Sequence, residues 1–237
     1  MISSANSVAA NCPAGRIWVK AYHRNSYYRS DGTFVSESNV KSHCRMSSES
    51  DKVWAPKIVD GRPSYWPFKN EISANWTADQ KERLIEAMEE LPKSLWSDGV
   101  VGFYRFKDSR EGKNNPALQS RGNIGLYDSA FSKDQKLTEV LAHELAHFKF
   151  DRLSKSDFKS YTDATGWQRS VRARVELWSG RKDGYVEPDG AFSPDEDFAN
   201  NLQYYLFHPD KLRLITPTAF DWMQMHFGDK FRIRRNR

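Results

Sequence analysis

A chain of 237 residues with 38% hydrophobic and 28% charged residues can bury one sizeable core, or a catalytic domain with a small appendage, and wholesale disorder is not expected. No apolar run approaches the length of a bilayer span. The net charge of +5 suits an acidic partner such as an anionic cell envelope, although an excess this small also serves plain solubility, and nucleic acid is not the expected partner.

The first residues, MISSANSVAANCPAG, have neither a basic start nor an apolar stretch and do not read as a signal peptide. Cys12 and Cys44 bracket one short segment. A disulfide between them would imply an oxidising compartment, so the chain reads as extracytoplasmic or secreted, with two reduced thiols as the alternative. The segment from Arg16 to Arg45 is rich in β-formers around Ser30-Asp31-Gly32 and predicts a hairpin or meander. A connector punctuated by Pro56, Pro63 and Pro67 follows. We place the boundary there, with residues 1–67 as a basic β appendage and residues 68–237 as the main domain.

Thr77 with Gln80 is a capping-box signal, and Leu84, Ile85, Met88 and Leu91 recur at helical spacing up to Pro92. Val100 to Phe106 and Gly122 to Tyr127 read as strands, separated by a polar loop, DSREGKNNPALQS. Ser132 with Gln135 is expected to open a second helix with a buried stripe of Leu137, Val140, Leu141, Leu145 and Phe148. An irregular stretch comes next. Helices are then expected from about Pro194 to His208 and from Pro217 to Phe227. This order predicts an α+β domain.

The chemistry is concentrated in His143-Glu144-Leu145-Ala146-His147, an H-E-x-x-H set inside the second helix. Residues four apart share a helix face, so both imidazoles can reach one ion. Zinc suits such ligands and leaves a position for water, whose proton Glu144 is placed to accept. The opposing reading is two surface histidines beside an unrelated glutamate. A third ligand is needed, and positions 150 and 153 are Phe and Leu, which excludes the longer motif carrying a third histidine. Glu176, Glu187, Asp195, Glu196 and Asp197 are the downstream carboxylates. Glu196 is the best candidate because the first turn of the next helix can point at the metal helix. Asp195 and Asp197 are expected to complement the helix dipole instead. Asn200 is a candidate partner for a ligating histidine.

Glu196-Asp197-Phe198-Ala199 follows His147 at a spacing that resembles the E-D-F-A element of bacterial gluzincins related to the catalytic domain of anthrax lethal factor. The resemblance extends over about residues 75 to 227 and includes LPKSL, GNIGLYDSAF, VLAHELAHF, Thr165-Gly166-Trp167 and FHPDKL. It implies a gluzincin-like zinc metallopeptidase with His143, His147 and Glu196 as ligands, Glu144 as base and a tyrosine stabilising the oxyanion. Relatives tend to place that tyrosine seven residues before the ligand Glu, where this chain has Asp189; Tyr185 is the nearest upstream tyrosine and takes the role if the loop is longer here. The expected substrate is a protein or peptide, and a toxin or effector role stays open beside envelope maintenance. Two rival readings stand. One is an envelope- or nucleic-acid-binding protein that uses the basic amino-terminal module, with a degenerate metallopeptidase domain. The other is a structural zinc site, which needs a fourth protein ligand.

Overall fold

A computed structural model describes residues 57–96, 100–108, 115–172, 175–180, 184–228 and 231, together with strands and short links between residues 16 and 46. The chain divides into two compact units, Met1–Trp54 and Ala55–Arg237. The division falls before the proline connector, which was grouped above with the appendage. Within the second unit Ile58 forms a parallel bridge to Phe103, and Trp76 donates its indole N–H to the Val59 carbonyl at 3.3 Å.

In the first unit six short strands pair as three nested antiparallel ladders. β1 (Arg16–Val19) pairs with β6 (His43–Met46), β2 (Tyr22–Arg24) with β5 (Ser38–Val40), and β3 (Tyr27–Tyr28) with β4 (Phe34–Val35). The pairs run from Arg16↔Met46 to Tyr28↔Phe34 in one register, as in a single long hairpin. Cys44 stands opposite Trp18. Cys12 and the expected pairing of the two cysteines lie outside the described residues.

The second unit is α+β. Among the described residues it carries seven α-helices and a three-stranded mixed sheet of order β7–β9–β8. Helix α1 (Ala78–Glu90) starts as expected, with Thr77 accepting from the Gln80 N–H and Gln80 returning the bond. Leu84, Met88 and Leu91 are buried, whereas Ile85, placed above on the same stripe, is exposed. The short α2 (Lys93–Trp96) follows Pro92.

Strand β7 (Gly102–Arg105) runs parallel to β9 (Asn123–Leu126). The stretch expected to be a polar loop holds β8 (Ala117–Ser120), antiparallel to β9 and at the edge of the sheet. Arg121 and Gly122, at φ 48° and 86°, form the two-residue link, a geometry that favours glycine at its second position. At Gly125 a Cβ would fall 2.3 Å from the Phe106 ring, so only glycine lets that ring lie on β9.

Helix α3 (Leu137–Asp151) begins later than the Ser132 signal suggested. Ser132 closes a 3-10 turn over Asp128–Phe131, and Lys136 occupies the N-cap without a side-chain capping bond. The whole predicted stripe is buried, and so are Ala142, Glu144 and Ala146. A helix covered on nearly every side is central. It packs on α1, α2, β8 and α5 (Pro194–Phe207). The stretch expected to be irregular contains α4 (Lys155–Thr165), closed by Gly166 at φ 80°, and a hairpin of β10 (Gln168–Arg172) and β11 (Val175–Ser179). Helices α6 (Pro209–Ile215) and α7 (Pro217–Phe227) close the unit, α7 with the bounds expected from the sequence. No helix among the described residues is long and apolar enough to cross a membrane.

Candidate metal centre

His143 and His147 lie one turn apart on α3, and Glu196 lies in the first turn of α5, the helix packed against it. Ser193 caps α5 by accepting the Glu196 N–H at 3.2 Å, and Pro194 takes the first turn, where its missing N–H costs nothing. The two imidazole Nε2 atoms are 3.2 Å apart, and Glu196 Oε2 lies 3.4 Å from His143 Nε2 and 3.6 Å from His147 Nε2. Tetrahedral zinc with bonds of about 2.0–2.1 Å separates its ligand atoms by about 3.3–3.4 Å. The three atoms therefore already stand at the corners of one face of such a tetrahedron, and zinc fits them.

Further contacts set the orientation of these groups. His147 Nδ1 is 2.7 Å from Asp195 Oδ1, which directs the Nε2 lone pair toward the ligand triangle. Asp197 is buried and accepts from the Tyr161 hydroxyl and the Trp167 indole N–H, both at 2.9 Å, and from the Asn201 amide at 3.0 Å. Its carboxylate ties the start of α5 to α4 and to the residue that opens the β10–β11 hairpin. Neither acid merely complements the helix dipole, as the sequence reading had it. Asn200 donates to Asp189 Oδ1 at 2.6 Å, so the histidine partner expected of it is Asp195 instead.

Glu144 is buried beside His143 and His147, and burial pushes its carboxyl above the ordinary range despite the imidazoles nearby. Burial disfavours a charge on His147, but the hydrogen bond it donates to Asp195 and the carboxylates of Glu144, Asp195 and Glu196 outweigh it and push the ring up to about 9. For Glu196 burial is opposed by the hydrogen bond with His143 and by both imidazoles, and its carboxyl falls below the ordinary range.

Two adjoining cavities meet at Asn115, Pro116, His143, Glu144 and Asp189. The first, about 490 Å³, is walled by residues 115–119 leading into and along β8, by His147, and by Phe192, Asp195 and Glu196. The second, about 510 Å³, runs along the start of α3 and is lined by Asp134, Lys136, Glu139 and Glu187 among others. Glu139 pairs there with Lys136 at 3.0 Å and His208 at 3.4 Å, and Glu187 accepts from the Tyr204 hydroxyl.

Tyr185 lines neither cavity. Its ring lies 6.0 Å from that of Trp167, and its hydroxyl closely approaches Gly180. The structure thus brings together His143, Glu144, His147 and Glu196 and leaves Tyr185 outside. The sequence reading missed Asp195 as the histidine partner, Asp189 and Phe192 as wall residues, and β8 as the cavity edge. For β8 a signal existed in Arg121-Gly122, a turn pair between two short runs. Among the described residues, one group of three or more potential metal-binding side chains comes together, and it is His143, His147 and Glu196. No protein-family model, curated protein or solved structure matches this chain.

Proposed function

We propose that this chain is a zinc-dependent, gluzincin-like peptidase that hydrolyses peptide bonds at the His143–His147–Glu196 site. One observation carries the reading: the three ligand atoms are spaced for tetrahedral zinc, beside a buried glutamate and open to a cleft. A structural site would need a fourth side chain, whereas the group here has three members among the described residues. Zinc bound there supplies a Lewis acid that polarises a carbonyl and acidifies water.

Within this reading the remaining work falls to the chain itself. Glu144 receives the proton of the attacking water on its carboxylate and returns it to the leaving nitrogen, a role favoured by a carboxyl raised through burial. Asp195 holds the ring of His147 in place. Residues 115–119 offer an edge along which an extended peptide can lie. Without Tyr185 at the cleft, the chain's own donors toward an oxyanion would be amide side chains on the walls, such as Asn115 and Gln119.

Metal content by mass spectrometry, with cleavage of a mixed peptide library, tests the proposal. The expected result is one zinc per chain in the wild type and in Glu144→Gln, cleavage only in the wild type, and weakened zinc in Glu196→Ala. A wild type that takes up no zinc after repletion would overturn it.

A further inference from the structure

Phe192 is an aromatic side chain left 80% exposed on the wall of the first cavity. Its backbone is not loose. Its N–H donates to the Asp189 carbonyl at 2.9 Å, ending a 3-10 turn over Pro188–Ala191, and the next residue, Ser193, is the cap of α5. The ring is thus presented from a fixed backbone four residues before Glu196. Other strongly exposed apolar side chains, Trp66, Val171, Leu214 and Met225, line neither cavity.

The two arms of the cleft differ in chemistry. On the arm holding His147, Phe192 shares the wall with Pro116, Ala117 and Leu118. On the other arm acids and amides predominate. The second arm has Val140 and the shared Pro116 as its apolar lining, whereas an aromatic ring is offered to a large apolar side chain of a bound peptide on the first arm. Ala117 is fully buried, and Pro116 and Leu118 are half-buried, so Phe192 supplies most of the carbon surface still open to contact. An aromatic ring with two side-chain torsions makes such a contact at small cost in conformational freedom.

We infer that Phe192 is a specificity-determining residue, an open platform that selects peptides bearing a large apolar side chain on the His147 side of the scissile bond. This rests on the peptidase reading and adds to it the class of substrate.

The test compares the zinc-loaded full chain with Phe192→Ala and Phe192→Leu on an unbiased peptide library, with cut sites read by mass spectrometry. The wild type should enrich large apolar residues at one position beside the cut. Phe192→Ala should lose the enrichment, with KM for a selected peptide raised about tenfold and kcat little changed, because the contact acts equally in ground and transition states. Phe192→Leu should keep most of it. A second readout needs no turnover: the selected peptide should bind Glu144→Gln about tenfold more tightly than the Glu144→Gln, Phe192→Ala double variant. Zinc content and melting temperature of Phe192→Ala should match the wild type, since the ring is exposed. Cleavage without enrichment, or enrichment that survives in Phe192→Ala, overturns the inference and leaves the peptidase reading standing. A zinc-loaded wild type that cleaves no peptide overturns both.

Discussion

Asp195 lies next to Glu196 in sequence and against His147 in space, and its 2.7 Å contact with Nδ1 leaves Nε2 of that ring facing His143 and Glu196. Asp195→Asn keeps the shape but removes the charge, and zinc affinity should fall by about tenfold to a hundredfold. Competition with a chromophoric chelator measures it, and unchanged affinity would make the contact incidental. His143, Glu144 and His147 could be read from the sequence because helical spacing alone puts both imidazoles on one face. Glu196 could be read because a helix start is a natural place from which to reach a neighbouring helix. Asp195 and Asp197 could not be sorted in the same way. The first turn of α5 carries three consecutive acids, and each one's direction depends on how α5 is rotated against α3, which no local pattern encodes. Tyr185 fell to a similar ambiguity, since the loop after it decides whether the ring turns toward the cleft or toward Trp167.

At the scale of elements, the register of α5 against α3 and α4 decides whether Glu196 reaches its partners. Asp197 holds that register with three hydrogen bonds from buried or nearly buried donors. Asp197→Ala leaves the Tyr161 hydroxyl and the Trp167 indole without this acceptor, at a cost of roughly 2–4 kcal/mol. Urea unfolding should show the loss as a lower midpoint at unchanged slope, and zinc binding should weaken with it; a midpoint equal to the wild type would sink the argument. Helices with strong ends were legible: Thr77 and Gln80 for α1, and the prolines that open α5 and α7. Helix α3 was legible by its stripe but not by its start, because the Ser132 signal serves a 3-10 turn instead. Helix α4 did carry local marks, Ser154 accepting the Asp157 N–H at 3.0 Å and Gly166 at the end, which the reading passed over. The β10–β11 hairpin gave little to read, since Arg169, Ser170, Val171, Glu176 and Leu177 are all exposed and no alternation of buried and open positions marks it.

For the molecule as a whole, every residue of the candidate centre and of both cavities belongs to the unit Ala55–Arg237. Removing residues 1–54 should therefore leave zinc content and peptide cleavage unchanged within about twofold. A truncated chain that folds and binds zinc but no longer cleaves would show that the basic hairpin serves the chemistry itself. The edge position of β8 bears on which proteins such a cleft could attack. Its paired side is occupied by β9, and residues 115–119 leading into and along it form a wall of the cavity opposite the helices that carry the histidines and Glu196. An open strand edge facing a cleft offers its backbone groups to a single extended segment. Vulnerability would then follow local flexibility as much as sequence: tails, linkers and slack loops of a folded target would be cut, while the same residues locked in its core would be spared.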